Sequence, residues 1–144
     1  MSQQKLKHDI LRLLARREYS VFEIVVKMSH KGYSDQDIDH VLDELKRLGL
    51  QSDERYAMMM CDHLMQQGKG KMFLSAKLNE RGVQRSLIDQ VALEFDENQS
   101  ILNAYARINN VSPDRLEKRL YSRGFSGNTI GWLKQKLVEE GNES

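Results

Sequence analysis

The run with the most evident chemical promise is Gln67-Gly68-Lys69-Gly70-Lys71, in which glycines alternate with lysines. Glycines let backbone N–H groups close around an anion and lysines neutralise it, as in loops that cradle phosphate. The Walker spacing is missing, no strand pattern precedes the run, and no Ser or Thr follows the lysine. The segment therefore reads as a connection between helices. Cys61 and His63 stand two apart on an expected helix and diverge by about 200°, so they share neither a metal nor a nucleophile–base contact. His8, His30 and His40 are scattered, and no Ser/His/Asp set, paired-acid site or zinc spacing stands out. An enzyme is not expected, nor a cofactor or a metal.

Charge follows a clearer pattern. Lys27, Lys77 and Arg119 stand five residues before Gly32, Gly82 and Gly124, and Lys31, Arg81 and Arg123 stand immediately before the same glycines. At i and i+4 each pair shares one helix face, a basic stripe suited to an acidic or phosphate-bearing partner. The plainer account is that the helix dipole favours cations in any last turn. Overall, 22 Lys+Arg against 21 Asp+Glu give a formal net charge of +1, so any basic surface is local. The single cysteine, Cys61, rules out an internal disulfide, and residues 1–9 lack the apolar stretch of a signal peptide. With a mean hydropathy of −0.62 and no long apolar run, the expectation is a soluble cytoplasmic protein without membrane contact.

The elements that would position these charges are helices. Pro113 is the only proline, helix-forming residues dominate, and strand signals are absent. Leu6, Ile10, Leu13 and Leu14 fall at helical spacing, as do Ile38, Val41, Leu42 and Leu45. Aligned on Gly32, Gly82 and Gly124, the chain repeats itself. Ile24, Leu74 and Leu116 precede the glycines by eight; Met28, Leu78 and Leu120 precede them by four; Tyr33, Val83 and Phe125 follow directly. Ile38, Ile88 and Ile130 follow by six, Val41, Val91 and Leu133 by nine, and Leu45, Phe95 and Leu137 by thirteen.

Each glycine suits the left-handed end of a helix, and the apolar residue after it closes a Schellman-type cap. Ser34 and Ser126 stand where the next helix needs an N-cap, Asp37 follows Ser34 as a capping-box-like acid, and Ser112-Pro113 reads as N-cap and first helical position. Further amphipathic stretches, 6–16, 55–67 and 101–108, lie ahead of these pairs. The fold predicted is all-α: three tandem three-helix repeats, 1–49, 50–96 and 97–144, forming an elongated, curved array. Trp132 is expected as a buried anchor, and Met58-Met59-Met60 as adaptable core filling.

Leu11-Arg12-Leu13-Leu14-Ala15-Arg16-Arg17-Glu18-Tyr19-Ser20 resembles the opening of RecX-family regulatory proteins. Leu50 with Asp53-Glu54-Arg55-Tyr56-Ala57 resembles that family's Leu-x-Asp-x-x-Phe/Tyr-Ala segment, and Gly68-x-Gly70 with Leu74, Leu78 and Arg81-Gly82-Val83 its Gly-x-Gly stretch and following helix. The likeness is strong over residues 10–83 and weaker beyond. Two departures stand out: Leu64, Gln66 and Gln67 occupy the turn where the family usually carries Arg or Lys, and Lys71 replaces its proline.

The resemblance implies three three-helix repeats and a protein that binds RecA and lodges in the groove of the RecA–DNA filament. It further implies inhibition of filament extension, ATP hydrolysis and strand exchange, with a role in recombinational repair and the SOS response. Lys69, Lys71, Lys77, Arg81, Arg115, Arg119 and Arg123 are the expected partner-binding residues. A monomer touching adjacent protomers at once would gain avidity without any one strong site. Two other readings stay open. A tandem helix-turn-helix-like module would bind DNA without RecA, although Asp35, Asp37, Asp39, Asp43 and Glu44 make one candidate recognition helix repel phosphate. A scaffold for an unrelated partner is the other; under the RecA reading, nucleic-acid contact is weak.

Overall fold

The computed structural model describes residues 2–108 and 110–142. Nine α-helices and no strand occur among the described residues, in agreement with the all-α expectation. They are α1 (Gln3–Leu14), α2 (Val21–His30), α3 (Asp35–Arg47), α4 (Asp53–Gln66), α5 (Lys71–Glu80), α6 (Arg85–Ala92), α7 (Glu97–Arg107), α8 (Pro113–Ser122) and α9 (Gly127–Asn142).

Local chemistry explains where these helices stop. At Gly32 the N–H of Tyr33 donates to the Met28 carbonyl at 3.2 Å and the N–H of Gly32 to that of Ser29 at 3.0 Å. Gly82 and Gly124 repeat the pattern, with Val83 donating to Leu78 and Phe125 to Leu120. All three glycines have positive φ, 94°, 75° and 90°, where a side chain would be strained. Starts are capped as firmly. Ser34 accepts from the Asp37 N–H and Ser112 from that of Arg115, with Pro113 at the opening of α8. Asp37 does not complete the capping box expected of it, since its carboxylate accepts from Gln3 instead. A full capping box stands at Ser20, whose hydroxyl accepts from the Glu23 N–H while the Glu23 carboxylate accepts from the Ser20 N–H. At α7 the start falls four residues ahead of the apolar stretch that predicts it, because Asp96 caps the helix by accepting from Gln99.

Two compact units result. The first comprises the chain up to Met59 together with Leu78–Ile88; the second comprises Met60–Lys77 and the chain from Asp89 onward. In the first, Leu6 and Ile10 of α1, Ile24 and Met28 of α2, and Ile38, Val41, Leu42 and Leu45 of α3 make one core. In the second, Ile101 and Ala104 of α7 pack with Leu120 of α8, with Phe125 of the turn that follows it, and with Ile130 and Leu133 of α9. Each fully buried Leu or Ile contributes roughly 1.5–3 kcal/mol, which is what holds helices too short to persist alone. Trp132, expected to be buried, is only half-buried against this second core. Across Met58-Met59-Met60 the helix turns from exposed through half-buried to buried, so Met60 is the one that fills the interior.

Cys61 is buried, and burial pushes its thiol up to about 11, with Asp62 and Glu94 adding to the effect. The thiolate needed for reaction is therefore scarce at neutral pH. Iodoacetamide should label Cys61 at least about tenfold more slowly in the native chain than in urea. Equal rates measured by mass spectrometry would show the residue to be open.

Candidate partner-binding surface

The seven cations expected to meet a partner divide by what already holds them. Arg81 belongs to the first unit, where its Nε lies 4.0 Å from the Glu23 carboxylate that Arg17 also engages at 3.2 Å. Arg17 in turn lies over the Tyr19 ring, its guanidinium carbon 3.6 Å from the centroid. Burial by itself would raise Glu23, but Arg17, the Ser20 N–H and Arg81 together hold its carboxyl below the ordinary value. Beneath them Tyr56 is fully buried, and burial, reinforced by the Glu23 charge, pushes its phenol up to about 12. Arg81 is thus an internal counter-ion as much as a surface group.

Arg123 is similarly occupied in the second unit. Its Nη1 reaches toward the Gln67 and Gly68 carbonyls, each at 3.5 Å, and its own carbonyl accepts from the Gly70 N–H at 2.7 Å. Helix α7 helps satisfy the same stretch of backbone: Asn103 donates to the Met65 carbonyl at 2.9 Å and Ser100 to that of Lys69. The remaining five cations, Lys69, Lys71, Lys77, Arg115 and Arg119, all lie in the second unit and take part in no ion pair among the described residues. Arg115 and Arg119 are exposed; Lys69, Lys71 and Lys77 are half-buried, which long stems allow while the charge stays wet. Lys69 sits with its ammonium 5.3 Å from the centroid of the Phe73 ring.

Gly68 and Gly70 serve packing. A Cβ on Gly68 would come within 2.7 Å of the Ala104 backbone, and one on Gly70 would overlap the carbonyl of Gly124. The phosphate-loop resemblance of this run is accounted for by two close backbone approaches.

A single joint geometry recurs in the two units. In the first, Asp53 at the start of α4 accepts from the Val21 N–H at 2.9 Å, the Ser20 hydroxyl donates to the Arg81 carbonyl at 3.0 Å, and Gly82 lies against the Phe22 side chain. In the second, Glu97 at the start of α7 accepts from the Lys71 N–H at 2.9 Å, Gly70 donates to the Arg123 carbonyl, and Gly124 lies against Phe73. In both, an acid opening one helix satisfies the free N–H at the start of another, where the helix dipole favours negative charge.

Comparison with known proteins gives these residues their context. The family model described as the first three-helix domain of RecX matches residues 7–45, and that of the second three-helix domain matches residues 52–91, together more than half of the chain. The chain belongs to the RecX family. Regulatory protein RecX of Chromohalobacter salexigens is 40% identical over 88 residues, covering 61% of this chain and 55% of that protein. Regulatory protein RecX of Legionella pneumophila is 38% identical over 88 residues, covering 61% of this chain and 59% of that protein. The matched region thus spans little more than half the length of these relatives. The crystal structure of RecX from Lactobacillus salivarius superposes with a TM-score of 0.78 at 18% identity, over 94% of this chain and 96% of that one. A second crystal structure, of regulatory protein RecX, superposes with a TM-score of 0.76 at 21% identity, over 92% and 73% of the two chains. At such identities the structures speak for the fold.

The segments that resemble RecX proteins are largely structural. Asp53 also accepts from Gln51 at 2.9 Å, buried Gln51 donates to the Tyr19 carbonyl at 3.1 Å, and Tyr56 and Ala57 are fully buried. Glu23, Gln51 and Glu97 were not among the residues marked out in the sequence, and Ser20 stood there only as the end of a family-like segment. The Ser20-x-x-Glu23 spacing was a readable capping-box signal, whereas the Tyr19 carbonyl that Gln51 reaches and the donors to Glu97 lie 26 or more residues away in sequence. No group of three or more His, Cys, Asp or Glu arranged to hold a metal occurs among the described residues, and no described helix is long and apolar enough to cross a membrane.

Proposed function

We propose that this RecX-family chain binds the RecA filament and restrains its extension, ATP hydrolysis and strand exchange, thereby modulating recombinational repair and the SOS response. In this reading it is a cytoplasmic monomer of three three-helix repeats, 1–49, 50–96 and 97–144, acting without catalysis or cofactor. The observation that carries the reading is the division of the cations: Arg81 and Arg123 are engaged by the fold, while Lys69, Lys71, Lys77, Arg115 and Arg119 keep their charge uncompensated on the second unit. Unpaired surface cations raise encounter rates with an acidic partner and fix register once bound.

The test is the ATPase of RecA on single-stranded DNA with increasing amounts of the purified chain. Lys77→Glu combined with Arg119→Glu should raise the concentration needed for half-inhibition by at least about tenfold, because each reversal turns attraction into repulsion. An unchanged inhibition curve would remove both residues from the interface. Arg81→Glu is a poor probe, since it would place a second carboxylate beside Glu23. Gel shifts on naked DNA at rising salt complete the experiment: tight, steeply salt-dependent binding without RecA would overturn the RecA reading in favour of a DNA-binding module.

A further inference from the structure

We propose that the groove between α5 and α8, lined by Met72, Phe73, Ala76, Tyr121, Ser122 and Gly124, docks an acidic polypeptide segment that carries a large apolar side chain as its anchor. The inference rests on the reading above and deepens it by giving the second unit an apolar contact beside some of its unpaired lysines. The groove is an open depression of about 300 Å3 with a predominantly apolar lining, suited to one or two large side chains. Met72 is 71% exposed, Tyr121 52% and Phe73 39%, an unusual concentration of large apolar groups in water.

Joint packing does not account for all of them. At the matching joint of the first unit Gly82 packs on Phe22 just as Gly124 packs on Phe73, yet the position three before the glycine holds Asn79 there and Tyr121 here. The tyrosine is therefore additional to what the joint requires. Methionine adds a lining that adapts to the shape of whatever enters. The rim is cationic: Lys69 stands over Phe73, Lys77 lies one turn further along α5, and Lys118 lies one turn before Tyr121 on α8. None of the three is in an ion pair among the described residues, whereas Glu117 is paired with Lys134 at 2.9 Å. Apolar floor and positive rim together complement an acidic segment with an apolar anchor. A nucleic acid suits Phe73 less well, because base stacking needs open aromatic faces and the Lys69 ammonium already covers one side of that ring.

The test uses the 15N-labelled full chain, without RecA, titrated with a 12-residue peptide of Asp and Glu around a central Leu-Phe pair. Amide shifts should cluster at Met72, Phe73, Ala76, Tyr121 and Gly124. Replacing Leu-Phe by Ala-Ala should weaken binding about tenfold, and so should Tyr121→Ser in a chain whose circular dichroism is unchanged. Equal binding of both peptides, shifts mapping elsewhere, or no shifts at millimolar peptide would each overturn the proposal. Tighter binding of a 12-nucleotide oligothymidine at the same amides would overturn it in favour of a nucleic-acid surface. Because RecA is absent from this experiment, failure to inhibit RecA leaves its outcome intact, and the converse holds equally.

Discussion

Gly70→Ala should lower the stability of the chain by at least about 3 kcal/mol, the largest effect expected of any one-methyl addition here. The new Cβ would fall on the Gly124 carbonyl and the Phe125 amide nitrogen, which are backbone atoms and cannot rotate aside as a side-chain end could. Relief requires parting the Gly70 N–H from the Arg123 carbonyl, a 2.7 Å hydrogen bond, and moving the turn that caps α8. Gly131→Ala is the control of opposite sign. Gly131 lies inside α9 with nothing within 4 Å of its added Cβ, so the substitution should stabilise by up to about 1 kcal/mol through helix propensity alone. Urea midpoints of the two variants against the parent chain decide the matter. Equal, small shifts would mean that the backbone at Gly70 yields easily and that the close approach is incidental.

Glu97→Ala should cost about 3 kcal/mol at neutral pH, since hydrogen bonds to a charged acceptor are stronger than neutral ones and their loss strands the donors. One carboxylate oxygen accepts from the Lys71 N–H at 2.9 Å, the other from the Ser126 N–H and hydroxyl, each at 3.0 Å. The side chain thus ties the starts of α5 and α9 to that of α7. Burial raises this carboxyl, but the donors from Ser126, Thr129 and Lys71 outweigh it and hold the group below its ordinary value. A depressed folded pKa means stability that is complete above the unfolded value, about 4.3, and lost as pH falls through the folded one. Unfolding midpoints from pH 7 to pH 3 should therefore drop less steeply for Glu97→Gln than for the parent. Asp9, Glu23 and Glu44, depressed in the same direction, leave a residual slope in both. Parallel curves would show that Glu97 does not sense its cage.

Much of this protein was legible in its residues. Glycine at 32, 82 and 124 announced helix ends because only an unbranched backbone takes those dihedrals cheaply, and the capped geometry is the one found. Apolar columns at helical spacing named most of the buried residues, since burial on a helix follows its 3.6-residue period. Leu116 and Leu137 are exceptions, left half-buried beside a groove of about 540 Å3 in the second unit. Family membership, too, was readable from three short segments.

What periodicity could not reveal is which charges are spoken for. Arg81 and Lys77 sit at neighbouring columns of one repeat pattern, yet the first faces Glu23, 58 positions away in the chain, while the second has no ion-pair partner among the described residues. The same is true of Gly70, whose need for a bare backbone arises from Gly124, and of Glu97, whose donors come from two other helices. Local sequence determines helices and their ends because those depend on hydrogen bonds spanning four residues; the tertiary structure alone decides pairings between distant segments, because they depend on where packing brings the helices together.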